Sequence, residues 1–454
     1  MSSSFEKMAS NINFAAIGKA EELKKRIWFV LGALLVYRLG TYIPLPGIDP
    51  RVISKLASQH SGGLLDLFNM FSGGALHRMT IFALNVMPYI TVSIVMQLLT
   101  FMYPALTQLR KEGGEAGRRK IQQYTRIGAV FMAAFQGVGI ATYLLSINIQ
   151  GQNAVVIDNH SFFIATTVVS LVGGTIFLMW LGEQITQRGI GNGVSIIIFS
   201  GIVAGLPGAI SRTFELGRTG ALSSPIIIAV FVLVISLIGC IVFCERAQRR
   251  LIVQYPKRTV GNKQYQGEST YLPLKLNTAG VLPPIFASSL LLFPATIVSF
   301  SGLAATNSEG FLATLVGLLG HGKPLYMIML VTLITFFCFF YMNNVFNPSE
   351  TAENLKKNGG FIPGIRPGKN TAEYIQFIMN RLTVIGAIYL SLLCVIPELL
   401  ISQFGVPFYL GGTSLLIVVN VTMDTIVQIQ SHLIAHQYEG LLKKTNMKGT
   451  RRRR

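Results

Sequence analysis

The sequence predicts an all-α integral membrane protein, and three observations predict it. Of 454 residues, 51% are hydrophobic and only 13% are charged, against about 25% charged in an ordinary soluble domain. The apolar residues come in long runs: 79–109, 127–157, 159–182, 189–211, 219–244, 276–308 and 324–349 contain no Asp, Glu, Lys or Arg. An uncharged apolar run of 18 or more residues reads as a transmembrane helix. Finally, the Lys and Arg residues fall almost entirely on alternate loops. The composition excludes a soluble enzyme, a disordered chain and a disulfide scaffold. A β-barrel would instead require alternating strands of ~10 residues.

Ten spans follow along the chain. The first runs from about Ile27 to Ile43, with Arg38 inside it, and the second covers Met79–Tyr103. The third is about Ile127–Ile147, the fourth Phe162–Gly182, the fifth Val194–Arg212 and the sixth Pro225–Cys244. The seventh, about Ala279–Phe300, is interrupted by Pro283, Pro284 and Pro294. The eighth is Leu325–Val345, the ninth Leu382–Leu399 and the tenth Phe408–Gln428. Residues 1–26 are polar and lack a cleavable apolar core, so the first span is expected to remain as an anchor.

With the N-terminus and every second loop on one side, that side holds 31 of the 38 Lys and Arg residues; the opposite loops hold 6, and Arg38 lies in a span. Cytoplasmic loops carry the excess of Lys and Arg, so both termini are expected in the cytoplasm. Ten spans divide into two sets of five. Five being odd, the second set is inverted relative to the first, an arrangement that puts a pathway between the halves. The expected divisions are a cytoplasmic segment 1–26, a first half 27–213, a second half 214–430 and a basic tail 431–454.

The spans hold few groups for chemistry. Glu183, Glu398 and Asp424 lie near span ends, and no carboxylate sits at mid-membrane; ion-coupled transporters usually need one. The six His residues lie in loops or the tail. Cys240 and Cys244 are one helical turn apart without His or carboxylate company, and read as small buried hydrophobes rather than metal ligands. No phosphate-binding loop, nucleophile constellation or zinc motif occurs, and no metal or cofactor is expected. A small-solute secondary transporter and a membrane-embedded enzyme remain as rival classes. The first would need a midplane charge or ion site, the second paired catalytic groups at one depth.

Three loop features stand out. Residues 62–74 form an apolar, glycine-bracketed stretch far too short to cross a bilayer. It is either a re-entrant segment buried in protein or an amphipathic helix resting on the outer surface. The cytoplasmic loops 245–275 and 348–381 are long and basic, the first carrying Lys257 and Arg258. They suit an acidic or nucleic-acid partner, lipid headgroups, or simple topology signalling. Lastly, Pro363-Gly and Pro367-Gly flank Arg366. A loop tip stiffened this way presents its Arg with little entropy left to lose.

The ordered set of segments resembles the SecY family of protein-conducting channels. It includes Tyr42-Ile-Pro-Leu-Pro-Gly-Ile-Asp, Phe68-Asn-Met-Phe-Ser-Gly-Gly-Ala-Leu, Met87-Pro-Tyr-Ile and Gly113-Gly-Glu-Ala-Gly-Arg-Arg-Lys. Gly182-Glu-Gln-Ile-Thr-Gln-Arg-Gly-Ile-Gly-Asn-Gly, Glu245-Arg-Ala-Gln-Arg-Arg, Leu272-Pro-Leu-Lys-Leu-Asn, Phe361-Ile-Pro-Gly-Ile-Arg-Pro-Gly and Phe408-Tyr-Leu-Gly-Gly-Thr continue it.

The resemblance implies two inverted five-helix halves around a central pore. Such a pore passes unfolded secretory chains and releases hydrophobic segments sideways into the membrane. It implies an aliphatic pore ring of Val86, Ile90, Ile198, Ile285 and Ile417. It implies a plug over 63–75, with Leu64, Leu65, Leu67, Phe68, Met70 and Phe71 as its apolar face. It also implies a lateral gate between spans two and three and spans seven and eight. Lys257, Arg258 and Arg366 become partner-binding residues for the motor ATPase SecA or a translating ribosome. SecE-like and SecG-like subunits become membrane partners, and preproteins with their signal sequences become substrates. The setting implied is the bilayer of a bacterial inner membrane.

Overall fold

The computed structural model describes residues 21–53, 69, 72–146, 148–149, 152–220, 224–255, 258–260, 263–265, 269–300, 323–404 and 411–451. The first half of the chain supplies α1 (Glu21–Gly40), α2 (Met87–Met102), α3 (Pro104–Glu112), α4 (Gly114–Ser146), α5 (His160–Arg188) and α6 (Gly193–Arg218). Then follow α7 (Ser224–Arg246), α8 (Leu282–Phe300), α9 (Pro324–Val345), α10 (Pro348–Lys357), α11 (Lys369–Phe404) and α12 (Gly412–Arg451). Short antiparallel ribbons interrupt them: β1 (Asn148–Ile149) with β2 (Gln152–Asn153), β3 (Gln248–Gln254) with β6 (Ser269–Lys275), and β4 (Arg258–Val260) with β5 (Lys263–Tyr265).

Each of the ten expected spans coincides with a helix. Among the described residues, seven helices are singly long and apolar enough to cross a membrane, and α2 with α3 forms a bent pair at 101°. The first and seventh expected spans lie on α1 and α8. The bend after α2 has a local cause: Tyr103 precedes Pro104, is forced into an extended conformation (φ −101°, ψ 114°), and so ends one helix before the next begins.

Two boundaries differ from expectation. The second span does not begin at Met79. Met79 and Asn85 adopt left-handed backbone (φ 45° and 49°), so no right-handed helix passes through them. α2 starts at Met87, with Pro88 in its first turn, where the missing N–H costs nothing. The ninth span, expected over Leu382–Leu399, lies on the 36-residue α11. Its first turns are polar outside, but Ile375, Ile378 and Met379 are buried and extend the helix into the layer of the basic loops.

The main core joins buried residues of α1, α2, α5, α6, α7, α8, α9, α11 and α12. A second cluster packs Leu45, Ile48, Val52 and Ile53 against α4 and α5. A third lies under the two basic loops and unites Leu251, Leu274, Met342, Ile362, Ile375 and Met379. Many side chains facing outward along the spans are large and apolar, such as Phe131, Val169, Ile235 and Phe243. In water such a surface would be a liability; in a bilayer it is the solvent-matched face.

Candidate pore constriction and basic-loop surface

The five aliphatic residues of the expected ring come from four separate parts of the chain, and all belong to the main core. Val86 is fully buried at the residue before α2, and Ile90 follows one turn later on the same face. Ile198 projects from α6 and Ile417 from α12, both buried. Ile285, in the first turn of α8, is half-buried and packs against the same cluster. Next-turn neighbours Ile94 and Ile202 join them. The left-handed kink at Asn85 and the Pro88 start fix where α2 begins, and so fix the depth of Val86 and Ile90.

The chain that re-enters the bundle just before α2 is tied to α1 and α6. Tyr37 donates its hydroxyl to the Ser72 carbonyl at 3.3 Å, and Arg38 Nη1 donates to the Gly73 carbonyl at 2.9 Å. Arg38, a cation inside a span, is thereby explained: it caps an irregular backbone carbonyl that would otherwise lack a partner. Gly73 has φ 64°, and a Cβ there would stand 3.0 Å from the Gly201 Cα of α6. Only glycine meets both conditions. Asn69 holds the turn, its Oδ1 accepting from the His77 N–H at 3.0 Å and its carbonyl from the Gly74 N–H at 2.9 Å. Leu64, Leu65, Leu67, Phe68, Met70 and Phe71 lie outside the described residues. The structure therefore gives the attachment of the 63–75 segment but not its apolar face.

On one side of the bundle α8 packs against α2 and α4. Phe101 of α2 meets Phe340 of α9 edge-on, with ring centroids 5.4 Å apart. Spans two and three thus touch spans seven and eight through side-chain contacts. Elsewhere the first and last helices meet. Gln428 of α12 accepts from the Gly191 N–H at 2.6 Å, and an apolar groove of about 260 Å³ opens between α1, α6 and α12.

The two basic loops form one body. The β3–β6 ribbon pairs Gln248 with Lys275 through Gln254 with Ser269. At its outer end Gln254 and Phe361 exchange backbone hydrogen bonds of 2.9 and 3.0 Å. The stretch 361–368 is therefore stitched to the ribbon, and Ile362 reaches the shared apolar cluster. Arg366 is exposed between Gly364 (φ 84°) and Gly368 (φ 107°), while its carbonyl accepts from Thr371 Oγ1 at 2.9 Å. Its backbone is held and its side chain is exposed. Arg258 falls in β4, and Lys257 lies outside the described residues. Sequence reasoning treated the loops as separate because nothing in their spacing reveals a bridge between residues 254 and 361.

It also missed Arg38, Glu245 and Asn277. Arg38 was visible as an intramembrane charge, but its acceptor is a backbone carbonyl and leaves no sequence trace. Asn277 Nδ2 donates to Glu245 Oε1 at 2.7 Å, across 32 residues. Glu183, noted near a span end, pairs with Arg126 at 2.7 Å.

The SecY family profile matches residues 80–426. The protein translocase subunit SecY of Escherichia coli strain K12 is 54% identical over 435 residues, covering 96% of this chain and 97% of that one. One similar solved structure is of SecY, its plug domain described as stabilising the closed state of the translocation channel and maintaining a membrane seal. It has a TM-score of 0.59 at 17% identity, covering 90% of this chain and 92% of the other. The idle yeast Ssh1 complex bound to the yeast 80S ribosome aligns with a TM-score of 0.59 at 16% identity, covering 91% and 89%. In extent and identity these matches leave one conclusion: the chain belongs to the SecY family.

Proposed function

We propose that this chain is the central channel subunit of a Sec protein translocase, passing unfolded secretory polypeptides across the membrane and releasing hydrophobic segments sideways into it. One observation carries the reading: five aliphatic side chains from four distant parts of the chain converge in one buried cluster. Val86, Ile90, Ile198, Ile285 and Ile417 then act as a gasket. Such a ring dewets and blocks ions when closed, and its apolar surface offers a passing side chain no hydrogen bond to stick to. The 63–75 segment acts as the plug. Its attachment at Ser72 and Gly73 to α1 and α6 supports that role, since Gly201 lies one turn beyond Ile198. Segments 27–213 and 214–430 are the two halves. The lateral gate runs between α2 with α4 and α8 with α9, where Phe101 meets Phe340.

The chain itself catalyses nothing; partners supply the energy. Lys257, Arg258 and Arg366 dock SecA or a ribosome, RNA phosphates and acidic surfaces both suiting an arginine-rich face. The ribosome-bound Ssh1 complex supports the second possibility. SecE-like and SecG-like subunits are the membrane partners, and the apolar groove between α1, α6 and α12 suits a small partner's transmembrane helix. The setting is a bacterial inner membrane with both termini in the cytoplasm. The deciding experiment reconstitutes the chain with SecE-like and SecG-like subunits, adds SecA and ATP, and measures entry of a preprotein into a protease-protected lumen. Protection is expected. Uptake of a small solute without any preprotein protection would overturn the reading.

A further inference from the structure

The long loop between α7 and α8 leaves the membrane beside Glu245 and returns at Asn277, and these two side chains hold each other. Asn277 Nδ2 donates to Glu245 Oε1 at 2.7 Å. The same amide grips Gly280 from both directions: Nδ2 donates to its carbonyl at 3.1 Å, and Oδ1 accepts from its N–H at 3.1 Å. Asn277 is 5% exposed, so water offers these groups little alternative. Gly280 adopts φ 64° and turns the chain into α8 two residues later. Beside the pair, the Leu276 N–H donates to the Ala247 carbonyl at 3.0 Å, and the ribbon begins with Gln248 facing Lys275. Asn420 of α12 stands close to the same carboxylate.

We infer that the Glu245–Asn277 pair is a positioning device that transmits a pull or push on the cytoplasmic ribbon to α8. The inference rests on the docking role proposed above for the loops. A glycine turn alone would be a swivel, because Gly280 could absorb a movement of the ribbon by changing its own backbone angles. The amide removes that freedom. It fixes Gly280 by two hydrogen bonds and fixes itself to the carboxylate at the end of α7. Hydrogen bonds to an ionised acceptor are shorter and about twice as strong as neutral ones. They are also directional, which an apolar contact closing the same neck would not be. Displacing the ribbon therefore displaces Asn277, the Gly280 turn and the first turn of α8, which carries Ile285. That turn lies against the ring and the α2 contact. The loop thus reaches the constriction through a braced path of five residues, 276–280.

The test measures movement, not only transport. Spin labels are placed at the exposed Leu99 of α2 and Leu290 of α8, in the chain reconstituted with its membrane subunits and with its four cysteines replaced. The inter-label distance is read with and without SecA and a non-hydrolysable ATP analogue, and SecA affinity is measured alongside. In the parent the distance shifts on SecA binding. Asn277→Asp turns the donor into an acceptor with almost no change in shape, and loses most of the shift while SecA binds as before. Glu245→Gln keeps an acceptor oxygen and keeps the shift. The double variant E245Q/N277D reverses donor and acceptor between the two side chains and recovers part of what Asn277→Asp lost, the Gly280 carbonyl still lacking its donor. A merely structural role would not give that recovery.

An Asn277→Asp channel that folds, binds SecA and shifts like the parent overturns the inference. A double variant no better than Asn277→Asp overturns it as well. A parent that binds SecA without any change in distance overturns it too, since there is then no movement to transmit. A parent that does not bind SecA at all overturns the docking reading itself, a separate failure recognised by the missing affinity.

Discussion

Ile417 and Arg366 illustrate two kinds of residue in one chain. Ile417 is 2% exposed, in the cluster that holds all five residues of the proposed ring. Replacing it with Asn buries an amide with no partner, at about 1–3 kcal/mol. The closed state bears that cost, so the open fraction should rise by about one to two decades, each decade being about 1.4 kcal/mol. Ion conductance of the idle channel should increase, and preproteins with weakened signal sequences should be exported. Parental tightness in a folded Ile417→Asn channel would remove Ile417 from the ring. Arg366 is the opposite case, an exposed side chain on a fixed backbone. Lys cannot reproduce a bidentate fork. Both Arg366→Lys and Arg366→Glu should therefore lose SecA-driven transport while the protein inserts normally. If Lys matches the parent, the contact is loose electrostatics, and the docking role passes to Lys257 and Arg258. The sequence marked both positions, but by different routes. Arg366 stands out through its flanking prolines, whereas Ile417 is one isoleucine among many until a fold gathers the five together.

Among the elements, the spans were legible and their edges were not. Hydropathy finds a helix because a bilayer leaves the backbone no other way to satisfy itself. It cannot find the start of α2, because Met79 and Asn85 are ordinary in composition and unusual only in φ. Nor does it separate the membrane part of α11 from its first turns under the basic loops, since Ile375 and Met379 are as apolar as the span that follows. The ribbon β3–β6 escaped the reading for a third reason: its charges advertise topology more loudly than its alternation of Leu251 and Val253 advertises a strand. The contact between α2 and α9 gives this scale its prediction. Cysteines in place of Phe101 and Phe340 should be joined by a short, reducible bifunctional thiol reagent, which spans the space the two touching rings now fill. Locked channels should stop both secretion and membrane insertion, and reductant should restore both. Full activity with the crosslink in place would sink the lateral gate.

For the whole molecule, the membrane bundle and the body formed by the two basic loops answer to different solvents yet share α9 and α11. Ile375 is fully buried in the cluster beneath both basic loops. Ile375→Ala should cost about 2–5 kcal/mol of local packing while leaving every charge in the loops unchanged. If the body matters as a body, SecA affinity should fall although the net charge stays at +19. Unchanged affinity in a folded variant would mean that charge alone recruits the partner. The backbone exchange between Gln254 and Phe361 gives the reason to expect a fall. Two weak epitopes on independent loops would each have to be captured in turn, the second at whatever concentration the slack between them allows. Bridged, they behave as a bivalent ligand whose arms are already at the right separation. The second contact then forms at high effective concentration, and the two affinities multiply. A partner that grips this surface would bind by avidity, and it would leave only when both arms let go together.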